Sequence, residues 1–302
     1  MDNGESLCVM IGNADGLHIG HRALIERTIS EAADRGLTSA VMTFAPHTAA
    51  RLGVRTLMTA DEKLSALSGT GVGRVISVAF DDAFMALSPR EFAAMLAGAY
   101  HVRAVVVGET FRFGKDRAGD VSALRGFGAE LGFDVVAAET VALGGEAVSS
   151  SRARRAVCER RFELASELLG APYYLSGTVV AGRRVGRDLG FPTANTEVFP
   201  DKLYPPNGVY ITSTTIGGSI CPSVTNIGVR PTFAGAGGFS VETYIIGYGG
   251  DAYGLSVKTA FHGFIRDEER FAGEAELRDR IALDVTEAKS YFETRDERCM
   301  TK

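Results

Sequence analysis

The apolar runs in the first half of the chain are nearly continuous rather than alternating, and no other feature constrains the fold as much. Residues 9–11, 41–44, 75–80, 104–107 and 135–138 place apolar side chains on both faces of an extended backbone. A strand tolerates that only in a sheet covered on both sides, as parallel sheets are. Helix signals lie between these runs. Leu24, Thr28 and Ala32 share one face of a segment that stops at Gly36. Ser88-Pro89-Arg90-Glu91 reads as a capping box with proline at the first helical position, and Asp120 as the cap of a helix running to about Gly132. Strands alternating with helices predict a doubly wound, Rossmann-like α/β domain.

The pattern changes near Ala171-Pro172. Beyond it, β-prone runs at 174–180, 209–214, 223–227, 240–246 and 257–265 are separated by Gly, Pro and Asn, as in a small antiparallel β-barrel. Leu277, Ile281, Val285, Ala288 and Phe292 then form an apolar helical stripe suited to lie across that barrel. The expected domains are 1–171 and 172–302, joined by a short linker, since no flexible Gly/Ser run separates them.

Composition narrows the function classes. A net charge of −5 argues against broad affinity for nucleic acid or membrane surfaces. Cys8, Cys158, Cys221 and Cys299 are scattered, with no Cys-x-x-Cys pair, so neither a zinc site nor a disulfide framework is expected. No stretch approaches the ~20 apolar residues of a membrane helix, and the first residues lack the pattern of a signal peptide. The expected location is the cytoplasm. The oligomeric state is left open.

Three stretches of the first half carry chemistry. The first strand ends in Gly12-Asn13-Ala14-Asp15-Gly16-Leu17-His18-Ile19-Gly20-His21, a glycine turn opening a helix. Backbone amides and the helix dipole favour phosphate at such a point. His18 and His21 lie three apart on one side of the first turn, and Gly20 leaves room between them. Two imidazoles there can donate hydrogen bonds to a triphosphate. Taken alone, His-x-x-His is equally a helix start that happens to carry two histidines. Ser149-Ser150-Ser151-Arg152-Ala153-Arg154-Arg155 offers hydroxyls and guanidinium groups for phosphates, or else a solvated helix start. In the loop after the 104–107 run, Glu109, Thr110, Phe111, Arg112 and Phe113 precede Lys115 and Arg117. The rings suit a flat ligand and the cations suit phosphates, although such a cluster is more often a solvated loop. Gly69-Thr70-Gly71-Val72-Gly73 is followed by Arg74, so it fails the dinucleotide pattern and reads as a turn.

The second half carries one glycine-spaced loop, with Gly182, Gly186 and Gly190 leading into Phe191-Pro192-Thr193-Ala194-Asn195. Its amides suit phosphate. The Thr193 hydroxyl and Asn195 carbonyl are hard oxygen donors suited to Mg²⁺ beside phosphates. A long hairpin loop is the plainer alternative. Glu242, in Ser240-Val241-Glu242-Thr243-Tyr244, is the candidate base, or else a solvated strand carboxylate.

Taken together, these stretches resemble the prokaryotic bifunctional riboflavin kinase/FAD synthetase family over nearly the whole chain. The match includes Thr43-Phe44-x-Pro46-His47, Asn207-Gly208-Val209-Tyr210 and Asn226-Ile227-Gly228-Val229-Arg230-Pro231-Thr232-Phe233. The resemblance implies that the first domain adenylylates FMN to FAD, with His18 and His21 on ATP phosphates and Ser150, Ser151 and Arg152 on the departing pyrophosphate. Gly12, Asn13, Asp15, Gly16, Gly20, Thr110, Phe111 and Arg112 complete that nucleotide and flavin site. It implies that the barrel phosphorylates riboflavin, with Thr193 and Asn195 holding Mg-ATP, Gly182, Gly186, Gly190 and Pro192 around the nucleotide, and Glu242 as base. The ligands are ATP, riboflavin and FMN, with Mg²⁺ arriving on ATP. Ala14, Thr48 and Thr110 depart from the family pattern, where Phe, Pro and Asp or Asn are usual. A riboflavin kinase whose N-terminal nucleotidyltransferase is weak or acts on something else is therefore the second reading, and a non-catalytic flavin-binding protein the third. Retention of Thr193, Asn195 and Glu242 argues against the third.

Overall fold

The computed structural model describes residues 5–45, 53–181, 190–230 and 238–300. By its internal contacts the chain forms two compact units, Met1–Ala153 and Arg154–Lys302.

The first unit follows the strand–helix alternation. It runs β1 (Leu7–Ile11), α1 (Ile19–Arg35), β2 (Thr38–Ala45), α2 (Ala60–Ser68), β3 (Arg74–Ala79), α3 (Asp82–Met85), α4 (Pro89–Gly98), β4 (Val102–Gly108), α5 (Val121–Leu131) and β5 (Asp134–Ala138). The strands pair in parallel in the order β3-β2-β1-β4-β5. Each apolar run of the sequence is one of these strands, and all of β1 is buried. Gly36 ends α1 with φ 63°, a left-handed cap that glycine adopts without a Cβ penalty. Ser88 and Glu91 form both halves of the expected capping box, and Asp120 caps α5 by accepting from the Ala123 amide at 2.9 Å. The Gly69–Gly73 stretch is a turn entering β3, with Gly71 at φ 82°. The segment Thr59-Ala60-Asp61-Glu62 forms a second capping box, so α2 is legible by the same rule.

A short hairpin, β6 (Ala142–Leu143) and β7 (Glu146–Ala147), leads into α6 (Ser150–Cys158), which spans the division between the units, and then α7 (Phe162–Leu169). The compact units part earlier than the expected change of pattern at 171/172. Phe162 of α7 stacks 5.5 Å from Phe261 and meets Tyr210 edge-on at 5.5 Å, so α7 packs with the barrel.

The barrel comprises β8 (Tyr174–Val180), β9 (Thr193–Thr196), β10 (Gly208–Ile216), β11 (Ser219–Arg230), β12 (Gly238–Ile245) and β13 (Ser256–Arg266). It closes in the order β10-β11-β12-β9-β8-β13 with antiparallel pairing. Five of its strands are legible in the sequence. The sixth, β9, is the end of what reads as one long loop, because four residues are too few to show a period. Side chains alternate between faces along each strand. One face buries a chain of hydroxyls: Thr212 bonds Ser223 and Thr225 at 2.8 Å each, Thr214 bonds Ser223 at 2.9 Å, and Thr225 bonds Thr243 at 3.0 Å. On the other face Val209, Ile211 and Val224 pack under α8 (Glu274–Met300) through Ile281, Val285, Ala288 and Phe292, the stripe read from the sequence.

Candidate active sites

In an open parallel sheet, ligands bind beyond the carboxyl ends of the strands, where the strand order reverses. Here that point lies between β1 and β4, which pair side by side. The histidine loop follows β1 and the Glu109–Phe113 stretch follows β4, so both expected loops sit at the switch point.

The histidine loop is pinned from several directions. Ala14, Gly16 and Leu17 have positive φ (52°, 77° and 41°), costly for the two residues with side chains. Asp15 is fully buried, and its carboxylate accepts from the Leu57 amide at 2.9 and 3.1 Å and from the Met58 amide at 3.2 Å. Thr43 donates to the Asn13 carbonyl and Ser150 to the Asp15 carbonyl, at 3.1 and 2.8 Å. Asp15, Gly16 and Ser150 are thus structural parts of the loop in this state. Ala14 is also fully buried, in a cluster with Met10, Leu17 and Ile25, so the departure there concerns packing under the loop.

The strained turn delivers two stacked imidazoles. The rings of His18 and His21 lie 3.6 Å apart at 15°. His18 Nδ1 accepts the His21 amide at 3.2 Å, capping α1. The proton of a neutral His18 ring therefore sits on Nε2, so His18 has one ring donor for a ligand rather than two. Burial pushes the His18 pKa down to about 4, which keeps the ring neutral at pH 7. A Cβ on Gly20 would lie 3.2 Å from His18 Nδ1, so this glycine makes room for the His18 ring itself. Gly12 packs on the Met10 side chain.

The remaining expected groups of this unit divide. Thr110 and Arg112 are exposed and Phe111 is half-buried. Arg112 forms an ion pair with Asp120 at 3.2 Å. Phe113 is not a ligand platform: it is 5% exposed and packs against Phe92, because Gly119 leaves space for its ring. Arg152 is held by the β6–β7 hairpin, donating to the Leu143 and Glu146 carbonyls at 2.9 Å each. A phosphate must compete with those contacts. Ser151 is exposed. Thr48 lies outside the described residues.

In the barrel, register assembles the site. Thr193 and Asn195 are two apart on β9 and share one face. Asn195 stands opposite Glu242 of β12, Thr193 opposite Tyr244, and Asn226 of β11 is on the other side of Glu242. Two cavities meet at Thr193. One, of about 340 Å³, is lined by Glu242, Asn226, Arg266, Phe191 and Leu277 as well as Thr193. The other, of about 570 Å³, is lined by Pro192, Thr193, Asn195, Tyr248, Asp251 and Tyr253. Both volumes suit a small-molecule ligand. The first has an aromatic and aliphatic wall with one carboxylate from the barrel strands, and the second is more polar. Gly190 has φ 85°, a value glycine readily takes. Gly182 and Gly186 lie outside the described residues.

Several lining residues carried no sequence signal. Arg266 makes a bidentate pair with Asp284 of α8 (2.9–3.2 Å), an association between β13 and a helix that no local pattern announces. Glu268 accepts from Asn226 and Asn207 at 3.3 Å each, and a Cβ on Gly228 would come within 2.5 Å of its carboxylate. Tyr248-Gly249-Gly250-Asp251 could have been found as a glycine-rich turn after a strand. Among the described residues, no cluster of three or more His, Cys, Asp or Glu side chains is placed to hold a metal. A hydroxyl and an amide oxygen on one strand face fit Mg²⁺ that brings its other ligands from triphosphate and water.

Comparison with known proteins agrees with both halves. A family model described as FAD synthetase matches residues 1–152, and one described as riboflavin kinase matches residues 169–292. A bifunctional riboflavin kinase/FMN adenylyltransferase of Pseudomonas fluorescens is 38% identical over 93% of this chain and 91% of its own length. The protein of the same description from Escherichia coli K12 is 38% identical over 95% of this chain and 93% of its own. A solved structure described as a macrolide-efflux protein from Streptococcus pneumoniae superposes with a TM-score of 0.85 at 27% identity, covering 96% of this chain and 95% of that one. No helix among the described residues here is long and apolar enough to cross a membrane. With both family models matched in order and relatives of this identity over nearly its full length, the chain belongs to the bifunctional riboflavin kinase/FMN adenylyltransferase family.

Proposed function

We propose that the barrel phosphorylates riboflavin to FMN and that the sheet unit adenylylates FMN to FAD, each reaction using ATP. The observation that carries the kinase half is the pair of cavities sharing Thr193, one with Glu242 and the other with Asn195. Flavin occupies the first, with its ring system along Phe191, Leu277 and Ile281, and ATP the second. The riboflavin 5′-hydroxyl oxygen attacks the γ-phosphorus, its proton passes to Glu242, and ADP leaves. The transition state is loose, so Glu242 acts chiefly by orienting the hydroxyl and accepts the proton late. Thr193 and Asn195 would hold Mg²⁺, which supplies charge neutralisation on the triphosphate when bound.

In the sheet unit, an FMN phosphate oxygen attacks the α-phosphorus of ATP and pyrophosphate leaves. His18 Nε2–H and His21 stabilise charge on the triphosphate. Arg152, Ser150 and Ser151 serve the pyrophosphate once Arg152 exchanges its hairpin carbonyls for phosphate oxygens. Thr110, Phe111 and Arg112 line the flavin side. We place the functional boundary at 171/172. The same reading makes the protein a cytoplasmic enzyme of small molecules, with neither nucleic acid nor membrane as partner.

The test is incubation with riboflavin and Mg-ATP, followed by chromatography of the flavins. FMN and FAD together are expected. FMN alone would leave a kinase, the reading favoured by Thr110 at the exposed flavin loop, and neither product would leave a binding protein.

A further inference from the structure

The chain leaves β13 through three consecutive charged residues, Arg266, Asp267 and Glu268. Two of them meet opposite charges. Arg266 holds Asp284 at 2.9–3.2 Å, and Asp267 accepts from Arg160 at 2.7 Å. Glu268 meets neutral amides instead: Asn226 Nδ2 donates to Oε1 and Asn207 Nδ2 to Oε2, each at 3.3 Å. An ionised carboxylate can accept about four hydrogen bonds, so each oxygen retains a lone pair for a further donor. Glu268 is exposed and lines the cavity that holds Glu242.

A glutamate on a turn ordinarily moves freely in water, and ordering it costs side-chain entropy. Here amides from two segments, one just before β10 and one on β11, hold the carboxylate in place. Gly228 makes room for it, since a Cβ there would lie 2.5 Å from Oε1. Asn226 and Gly228 are two apart on β11 and share a face, opposite Glu242 and Ser240 of β12. The Glu268 carboxylate therefore sits diagonally across from Glu242. Diagonal neighbours of this kind are roughly 7–8 Å apart, within reach of long side chains. Of the four carboxylates that line the cavity, Asp284 is bound to Arg266 and Glu269 lies 3.8 Å from the same guanidinium. Glu242 takes the reacting hydroxyl, which leaves Glu268 as the acceptor for another.

We propose that Glu268 is a specificity-determining residue of the kinase reaction: its carboxylate, oriented by Asn207 and Asn226, accepts a hydrogen bond from a non-reacting hydroxyl of the ribityl chain. This contact selects a flavin that bears a polyol and seats its 5′-hydroxyl at Glu242. The proposal rests on the assignment of riboflavin phosphorylation to the barrel. A fully buried site built for a hydroxyl rejects the deoxy analogue by about 10⁴–10⁵-fold. Glu268 is reached by solvent, so a loss of roughly 10-fold is expected for one charge-assisted contact.

The experiment is a cycle of enzyme and substrate deletions on the full chain. It reads kcat/KM for phosphorylation of riboflavin and of its 2′-, 3′- and 4′-deoxy analogues at saturating Mg-ATP. Wild type should lose roughly 10-fold on one of the three analogues, and Glu268→Ala roughly 10-fold on riboflavin. On that same analogue, Glu268→Ala should cost less than about 3-fold further, because the contact is already absent. The KM for ATP should not move. If circular dichroism shows that Glu268→Ala does not fold, Glu268→Gln, which offers an amide oxygen in place of the carboxylate, takes its place in the cycle. Wild-type kcat/KM for riboflavin in the variant, a wild type indifferent to all three deletions, or an equal loss of the variant on riboflavin and on every analogue would each overturn the proposal. Absence of FMN from riboflavin with the wild-type chain would instead overturn the assignment on which it rests.

Discussion

The two units solve the same problem, holding ATP beside a flavin, by opposite means. In the barrel, the candidate groups stand on regular strands and their placement follows from register: Asn195, Glu242 and Asn226 are lined up across β9, β12 and β11. Glu242 and Thr193 line open cavities. In the sheet unit the candidate groups stand on a loop with positive φ at three positions, and much of the constellation is already bonded to protein. Asp15, Ser150 and Arg152 all bind loop or hairpin backbone. A register-built site places groups accurately without further support. A loop-built site needs a scaffold of buried contacts and is sensitive to substitutions that never touch ligand.

The sharpest way to break this comparison is to remove the barrel base. Glu242→Gln should suppress FMN formation by roughly 10²–10⁴-fold, with FAD formation from supplied FMN unchanged. A mutant that phosphorylates riboflavin at the wild-type rate would remove Glu242 from the chemistry. In the other unit, His21→Ala should lower FAD formation by roughly 10²–10³-fold, the usual cost of one lost transition-state donor. FMN formation measured in parallel should not change, and a fall in both rates would mean that the effect is not confined to the crevice.

The next effect separates wall from chemistry. Arg266 and Asp284 are 10% and 2% exposed in their side chains, so breaking the pair leaves a buried carboxylate. Arg280 Nε remains 3.4 Å from Asp284, which limits the loss. Arg266→Leu should therefore destabilise the barrel unit by about 3 kcal/mol, the low end for a broken buried pair, read as a lower denaturation midpoint. An unshifted midpoint would show that α8 is held by its apolar stripe alone. The smallest effect concerns Thr110, whose exposed hydroxyl reaches less far than an amide. Thr110→Asn should raise FAD formation a few-fold, equivalent to ~1 kcal/mol for one added contact. An unchanged or lower rate would detach the loop after β4 from flavin binding.

What was legible in the sequence has a common character. The five parallel strands, the capped helices, five barrel strands and the stripe of α8 all rest on local periodicity or on residues within four positions of one another. The glycine turn before His18 is legible for the same reason, since helix starts are written locally. The resemblance of ordered motifs carried the candidate residues themselves, because no short pattern distinguishes a kinase loop from a hairpin. What escaped is contact between segments distant in sequence. The engagement of Arg152 by the β6–β7 hairpin, the withdrawal of Phe113 into the core beside Phe92, and the burial of Ala14 and Asp15 each depend on a partner that the local pattern cannot supply.

Read alone, the sequence was enough for most of the strands, for the capped helices, and for a covered parallel sheet in the first half and a barrel in the second. It sufficed because those properties depend on the order of apolar, capping and turn residues along the chain. Tertiary packing alone sets that Asn195 faces Glu242, that two cavities meet at Thr193, and that Lys63 is buried with its ammonium on the Phe44 carbonyl. Strand register and burial are set by which elements pack together, and a lysine on an amphipathic helix reads as solvated until its neighbours are known.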